Sequence, residues 1–372
     1  MAEGNPFDSA VSPAEPKTFK FRWVDANGNE TGFFSSKKAS FDGEVLKLDD
    51  VEFPVDAILN MAVRDKYIAM VLPPWADEDG ESNGEPQNFT IAVYGTNAKT
   101  LKQMIDGARS DVFAEQERKE LKEKGQSGQY RDTKCPFCAA TVSLTRLPET
   151  PQCYCVYCET LFTVSESAFG DTEGLGRKQE HKHRICEECN MYSQPRKFTI
   201  FYFIFLLYFI SWSHRPTWRC PGCMRWDAWK MLFGNIFGLI GMPVAMVQLF
   251  RSYASKTTPG PLRGLDDANI LANKGKIDKA LDRYDRLMDN VPLNAGLKYN
   301  IGSGLLTKGD IPSAETMFAM SLDDCSNYFP SIRGLMYCYS TQGKDAELKQ
   351  LQKLHGWDEE EEQAEEIEGM VE

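Results

Sequence analysis

Eight of the eleven cysteines in this 372-residue chain fall into four C-x-x-C pairs. A C-x-x-C turn directs both thiols to the same side, and two such turns can bring four sulfur atoms to one tetrahedral metal ion. Eleven cysteines in a chain of this length are too sparse for a small fold held together by disulfides. The pattern therefore predicts reduced thiols and metal sites. The four pairs are Cys135 and Cys138, Cys155 and Cys158, Cys186 and Cys189, and Cys220 and Cys223.

The first two pairs are separated by sixteen residues, and a strand-like stretch follows each of them. In this spacing residues 129–168 resemble the zinc-ribbon family, in which four cysteines hold one structural zinc ion. The resemblance assigns the four ligand positions to Cys135, Cys138, Cys155 and Cys158. Iron is the alternative metal, and either ion would be structural because a closed four-sulfur site has no open position for a substrate. Cys153 is expected to be a spare buried thiol.

The third and fourth pairs are separated by an apolar stretch, Phe198–Trp212, of fifteen uncharged residues. As a helix it would be about 22 Å long, which is short of the roughly 30 Å core of a bilayer. If it crossed a membrane, the two pairs would lie on opposite sides, and Cys220 and Cys223 could form a redox dithiol. Basic residues flank both ends, so we expect the stretch to dip into the membrane or lie along it. The second zinc site would then consist of Cys186, Cys189, Cys220 and Cys223.

A second apolar stretch, Met231–Phe250, has twenty residues without a charge. A helix of that length is about 30 Å long and can span a bilayer. Gly234, Gly238 and Gly241 provide a small-residue spacing on which membrane helices approach closely. The stretch therefore predicts a transmembrane helix that packs, and could self-associate, through these glycines; a buried helix of a soluble domain is the alternative. Residues 177–252 together are expected to form a basic and apolar membrane module.

Residues 17–124 have the pattern of an antiparallel β domain closed by one helix. Apolar and basic residues alternate from Phe19 to Trp23, as in a half-buried strand, and Asn27-Gly28 is a strong hairpin signal. Apolar residues at helical spacing follow from Leu101 to Val112. Strands closed by a C-terminal helix resemble the pleckstrin-homology-like fold. Another small roll capped by a helix remains an open alternative.

Three glycines in residues 262–356 recur at intervals of 34 residues, which is the period of the tetratricopeptide repeat. In the first two copies an alanine follows the glycine after five residues and an aromatic residue after nine. The matching residues are Gly275, Ala280 and Tyr284, then Gly309, Ala314 and Phe318, then Gly343. The resemblance to this family implies three helix–turn–helix units that stack and bind a peptide or protein segment. The third copy lacks the aromatic residue, as a terminal repeat often does.

The expected fold class is α+β and multidomain: the β domain with its helix, the zinc ribbon, the membrane module and the helical repeats. An acidic disordered tail, residues 357–372, is expected to follow, because Asp358–Glu372 contain nine acids and no base. The sequence has no glycine-rich phosphate loop and no G-x-S-x-G turn, and its four histidines fall in no catalytic pattern. We therefore expect no enzymatic activity.

Because these modules bind rather than react, the sequence predicts a non-catalytic, membrane-associated adaptor. Its repeats would recruit a protein or peptide, its apolar segments would contact the lipid bilayer, and one or two zinc ions would be structural. Two alternatives remain. One is a zinc-ribbon protein with a nucleic-acid-binding or regulatory role, and the other is a membrane thiol–disulfide protein that uses Cys220 and Cys223. No secretory signal is recognised in the first residues, so the N-terminal domain and the ribbon are expected to face the cytosol.

Overall fold

The computed structural model describes residues 16–25, 28–31, 36–64, 66–73, 87–164, 180–206, 209–234, 241–254 and 260–355. The chain divides into two compact units, residues 1–143 and residues 144–372. The first contains a seven-stranded sheet and a long helix, and the second combines short hairpins with the C-terminal helices. The described chain is therefore α+β.

The sheet of the first unit is antiparallel throughout, with the strand order β4-β3-β2-β1-β7-β6-β5. Its strands are β1 Lys17–Val24, β2 Lys37–Phe41, β3 Val45–Leu48, β4 Val51–Pro54, β5 Asn60–Arg64, β6 Tyr67–Leu72 and β7 Gln87–Tyr94. Helix α1, Ala98–Glu123, follows the last strand, and a two-stranded hairpin of β8, Asp132–Lys134, and β9, Thr141–Ser143, completes the unit.

The core of this unit follows from the alternation of β1. Phe19 and Phe21 point into the core and are buried, while Lys20 between them is exposed, as the period of two in a strand requires. Helix α1 begins at Asn97, whose side chain accepts hydrogen bonds from the main-chain N–H groups of the first turn. Its apolar face covers the sheet through residues such as Ile105. The resemblance to a pleckstrin-homology-like domain stays a prediction.

The second unit begins with three antiparallel hairpins and continues with eight described helices. The strands are β10 Gln152–Cys155, β11 Thr160–Thr163, β12 Arg184–Ile185, β13 Tyr192–Ser193, β14 Arg196–Leu206 and β15 Phe209–Arg219. The helices are α2 Pro221–Gly234, α3 Gly241–Ala254, α4 Leu265–Asn273, α5 Ile277–Asn290, α6 Ala295–Lys308, α7 Ile311–Asp324, α8 Phe329–Gln342 and α9 Asp345–Leu354.

The helical length estimated for Phe198–Trp212 does not apply, because the described part of this stretch is not helical. Residues 198–206 belong to strand β14 and residues 209–212 to strand β15, and the two strands pair antiparallel from Arg196 opposite Arg219 to Leu206 opposite Phe209. Aromatic and β-branched residues make up most of the stretch, and such residues favour strands. Because the hairpin returns the chain to its starting point, the segments before β14 and after β15 meet at its open end.

The transmembrane helix expected for Met231–Phe250 is wrong. The membrane-associated part of the expected fold class is therefore wrong as well. The stretch is divided between α2, which ends at Gly234, and α3, which begins at Gly241; Gly238 lies outside the described residues. Within the parts of the chain that the structure describes, each helix is too short or too polar to cross a bilayer. Clustered glycines disfavour one continuous helix, because glycine has a low helix propensity.

The C-terminal helices form three consecutive pairs, α4 with α5, α6 with α7 and α8 with α9. Gly275, Gly309 and Gly343 lie in the turn of each pair with φ of +71°, +85° and +67°, a conformation that a residue with a Cβ rarely adopts. The other predicted repeat residues, Ala280, Tyr284, Ala314 and Phe318, are all buried.

Two further glycines of the repeats are required by close packing rather than by backbone conformation. The ring of Phe318 lies against Gly302 and Gly334, where an added Cβ would come within 2.7 Å and 2.6 Å of it. The aromatic residue of the second pair therefore fills the space between α6 and α8. This packing explains why the second repeat has an aromatic residue at this position.

Candidate metal centres and the inner face of the repeats

Two groups of four cysteines lie close together in the described part of the chain, and in each group the sulfur atoms are within 4.8 Å of one another. Either group could hold a metal ion. The first consists of Cys135, Cys138, Cys155 and Cys158, and the second of Cys186, Cys189, Cys220 and Cys223. These are the two sets that the C-x-x-C spacing indicates; the identity of a bound ion stays a prediction.

Three of the four pairs share one local conformation. The residue after the second cysteine has a positive φ, of 60° at Ala139, 60° at Glu159 and 54° at Asn190. In each case its main-chain N–H donates to the carbonyl oxygen of the first cysteine, at 2.7–3.0 Å. Of the three, only asparagine readily adopts this conformation. The strain at Ala139 and Glu159 is consistent with a turn that metal binding would hold.

The fourth pair is built differently, because Cys220 and Cys223 belong to the start of a helix. Cys220 immediately precedes α2, and its carbonyl oxygen accepts the first helical hydrogen bond from Met224 at 2.9 Å. The main-chain N–H of Cys220 donates to the sulfur of Cys186 at 3.3 Å. A helix N-terminus stabilises negative charge, so it suits a group of ionised thiols.

The geometry of the second group fits a tetrahedral ion. The sulfur atoms of Cys189 and Cys220 are 3.7 Å apart. Four sulfurs, each about 2.3 Å from one central zinc ion, would be separated by roughly 3.8 Å. Hydrogen bonds from the thiols of Cys189, Cys220 and Cys223 lower the pKa of Cys186, so they stabilise its thiolate. Metal binding would require the remaining thiols to lose their protons as well.

The second group is assembled by the hairpin of β14 and β15 and secured by Arg219. Glu187 and Trp218 exchange hydrogen bonds across the open end of the hairpin. The buried side chain of Arg219 forms an ion pair with Glu188 at 2.5 Å and another with Asp227 of α2 at 3.3 Å. Arg219 thus joins the Cys186 turn to the helix that carries Cys223. Burial raises the pKa of Asp227.

The strand that follows the third cysteine pair is bound by the helical repeats. The main-chain N–H of Tyr192 donates to the Oδ1 atom of Asn300 at 2.7 Å, and the Nδ2 atom of Asn300 donates to the Tyr192 carbonyl oxygen at 2.7 Å. Asn269 donates to the same carbonyl oxygen at 2.9 Å and accepts from the hydroxyl of Tyr284 at 2.7 Å. The predicted repeat residue Tyr284 therefore supports an asparagine that binds the main chain of Tyr192.

A second strand is held in the same way by Asn327, which lies just before α8. The main-chain N–H of Tyr154 donates to the Oδ1 atom of Asn327 at 2.8 Å, and the Nδ2 atom donates back to the Tyr154 carbonyl oxygen at 2.8 Å. Tyr154 directly precedes Cys155. We use the term inner face for the surface that carries Asn269, Asn300 and Asn327.

Sequence reasoning missed these three asparagines. They lie in or beside the first helix of each pair, where an asparagine is usually exposed, and no motif distinguishes them. Two of them, Asn269 and Asn300, are fully buried. Cys153 is buried in β10 and belongs to neither cysteine group. Its sulfur accepts a hydrogen bond from the Nδ2 atom of Asn327 at 3.6 Å. The remaining thiols, Cys325 and Cys338, are buried within the repeats.

Comparison with known proteins adds little to this geometry. No protein-family model and no curated protein matches the chain. A solved structure titled MamA MSR-1 C2 is similar at a TM-score of 0.24 and 19% sequence identity, over 37% of this chain and 78% of that chain. A TM-score this low carries no argument about fold or function. What the site can do therefore follows from its own residues.

Proposed function

We propose that this protein is a non-catalytic adaptor whose helical repeats hold an extended segment of a protein partner. The observation that carries the proposal is the pairing of asparagine side chains with both main-chain groups of Tyr154 and Tyr192. These bonds recognise a peptide group in an extended strand, which every protein presents, rather than a particular side chain. A surface that binds two strands of its own chain in this way has the chemistry of a peptide-binding surface.

Part of the surface next to the inner face is open. Phe329, Arg333 and Tyr337 follow one another at four-residue intervals on α8 and therefore share one side of the helix. Phe329 is 42% exposed and Tyr337 58% exposed, and the guanidinium of Arg333 lies over the Phe329 ring. Tyr337 follows Asn269 by 68 residues, or two repeat periods, so it occupies the corresponding position of α8. Tyrosine, phenylalanine and arginine are enriched at protein interfaces.

The two cysteine groups would support this role structurally. We propose zinc as the ion in both, because four thiolates in a closed tetrahedral arrangement favour zinc or iron and leave no open position for a substrate. We also infer that the first unit is a pleckstrin-homology-like domain and that the first cysteine group belongs to a zinc ribbon. The seven antiparallel strands followed by α1 support the former inference. Elemental analysis of the purified chain should find two zinc ions per molecule.

The adaptor function is tested by partner recovery from cells that express the tagged full-length chain. The double variant Arg333→Glu/Tyr337→Ala should reduce recovery of the partner about tenfold or more, since central aromatic and arginine residues dominate binding energy. Met320→Ala is the matched control, because Met320 is an exposed side chain of the neighbouring helix α7. If both variants retain the same proteins as the wild type, α8 is not the recruiting surface.

A further inference from the structure

The inner face of the first two helix pairs is occupied by strand β13 of the same chain. Asn300 and Asn269 together make three hydrogen bonds to the main chain of Tyr192, and Tyr299 adds a bond from its hydroxyl to the carbonyl oxygen of Asn190 at 3.0 Å. All four bonds involve main-chain atoms, three of Tyr192 in β13 and one of Asn190 in the turn before it. Another extended peptide could therefore form the same hydrogen bonds in place of this segment.

The same place is shaped for an aromatic side chain. Tyr192 is 1% exposed, and its ring lies on Gly296 of α6, where an added Cβ would come within 2.4 Å of the ring. A glycine at this position leaves room for a flat ring against the helix. The ligand that fits best is thus an extended peptide with a tyrosine at its centre.

Strand β13 reaches the inner face because the second cysteine group positions it. Strands β12 and β13 pair through only two residues each. The turn between them closes with hydrogen bonds from Asn190 to Cys186 and from Cys186 to Met191, both at 3.0 Å, so Tyr192 directly follows the cysteine turn. So short a hairpin is unstable by itself. A metal ion bound by its cysteines would supply the missing free energy of folding.

We propose that β13 is an intramolecular ligand of the repeats, and that loss of metal from Cys186, Cys189, Cys220 and Cys223 releases it and opens the inner face to a tyrosine-bearing extended peptide of a partner. This deepens the proposed function, because it assigns a ligand type and a control to the same repeats. A tethered strand competes at an effective concentration in the millimolar range. A partner peptide therefore binds well only after the strand has been released.

The test measures binding of a fluorescein-labelled peptide to the full-length chain by fluorescence anisotropy. The peptide is residues 187–197 with Cys189→Ser, so it presents Tyr192 in its own sequence context. The metal-loaded wild type should bind it weakly. The variant Cys220→Ser/Cys223→Ser should bind it at least about tenfold more tightly, because the competing strand is no longer held in place. The same gain is expected when a chelator removes metal from the wild type.

A second variant tests the intramolecular ligand without disturbing the cysteines. The chain with Tyr192→Ala should bind the peptide at least about tenfold more tightly than the wild type while metal is bound. Asn300→Ala added to this chain should remove the gain, and a peptide with Tyr192→Ala should not bind. If the Tyr192→Ala chain, helical by circular dichroism, binds no better than the wild type, β13 is not a displaceable ligand.

The two halves of the proposal, and the proposed function itself, can fail separately. Tight binding to the Tyr192→Ala chain together with weak binding to the metal-free wild type would overturn control by metal. Should the double cysteine variant be unfolded by circular dichroism, the chelated wild type and the Tyr192→Ala chain decide the outcome. Recruitment through Arg333 and Tyr337 is measured on the wild type with metal bound, so its failure leaves the peptide result unaffected.

Discussion

The helical repeats and the preceding residues 180–254 are both rich in apolar residues, yet their folds have different origins. In the repeats, each helix pair turns at a glycine with positive φ, and these glycines recur every 34 residues. In residues 180–254 the most aromatic apolar stretch forms a hairpin, and the pairing of its two strands determines its structure. A local pattern suffices where contacts are between neighbours in sequence, and it fails where pairing is non-local.

The two regions also differ in how their apolar surface is covered. The repeats bury their aromatic residues between successive helices, as Tyr284 and Phe318 show. Helices α2 and α3 share only a small core with Phe198, and they leave Phe233 65% exposed and Phe250 74% exposed. The cysteine group at the open end of the hairpin is therefore expected to contribute more to the stability of this region than its hydrophobic core does. The predictions that follow test this contrast.

The largest expected effect is that of removing one ligand from the second cysteine group. Cys223→Ser should release one metal ion per chain and unfold residues 180–254, because folding of so small a core depends on metal binding. Hydrogen exchange should show lost protection in β14, β15 and α2. Cys153→Ser, which changes a buried thiol outside both groups, should retain both ions. Equal metal loss in the two variants would mean that the ligand set is wrong.

A smaller loss is expected from the hydrophobic core of the same region. Phe198→Ala should destabilise it by about 3–5 kcal/mol, because the Phe198 ring is fully buried against α2 and α3. Phe233→Ala is the matched control and should change the free energy of unfolding by less than about 0.5 kcal/mol, since that ring is mostly exposed. Denaturant unfolding measures both. Similar values for the two variants would contradict the placement of Phe198.

The repeats should respond to a single added methyl group where helices cross. Gly334→Ala should cost about 1–3 kcal/mol, because the new Cβ would come within 2.6 Å of the Phe318 ring. Gly304→Ala places its Cβ at an ordinary 3.5 Å from Leu281 and should be neutral or stabilising by up to about 1 kcal/mol through helix propensity. Thermal unfolding distinguishes them, and a stabilising Gly334→Ala would disprove the close packing.

The smallest expected effect is electrostatic and lies in the last two helix pairs. Burial raises the pKa of Glu315, but hydrogen bonds from Lys344, at 2.7 Å, and Gln342 outweigh it and hold the pKa below its usual value. A lowered pKa means that Glu315 stabilises the fold above its unfolded pKa of about 4.5, and that this contribution is lost as the pH falls through the lower folded value.

Glu315→Gln should therefore reduce the acid dependence of stability below pH 5 by a few tenths of a kcal/mol, since the pair is partly exposed. The measurement is hydrogen exchange in α8 and α9 as a function of pH. Glu347→Gln changes an exposed acid on α9 and should leave the profile unchanged. A larger effect at Glu347 would place the acid-sensitive interaction elsewhere.

Much of the candidate site could be predicted from the spacing of cysteines. The two groups assemble as the C-x-x-C pairs indicate, because each turn needs only four residues to direct two thiols together. The second group depends in addition on the path of the chain between its two pairs, which are Cys186 with Cys189 and Cys220 with Cys223. The sequence predicted that the two pairs would meet, because basic residues flank both ends of Phe198–Trp212; in the structure a hairpin brings them together, and Arg219 joins the two sides.

The sequence by itself determined the features that arise within short segments: the alternation of strand β1, the cysteine turns, and the three helix pairs with their glycine turns. Each of these depends on residues less than about one repeat apart. Only the tertiary structure decided that residues 198–206 and 209–212 form paired strands and that Asn269, Asn300 and Asn327 bind the strands of Tyr192 and Tyr154. An asparagine side chain can form hydrogen bonds with the main chain of any strand within reach. The sequence therefore does not indicate which distant strand it will bind.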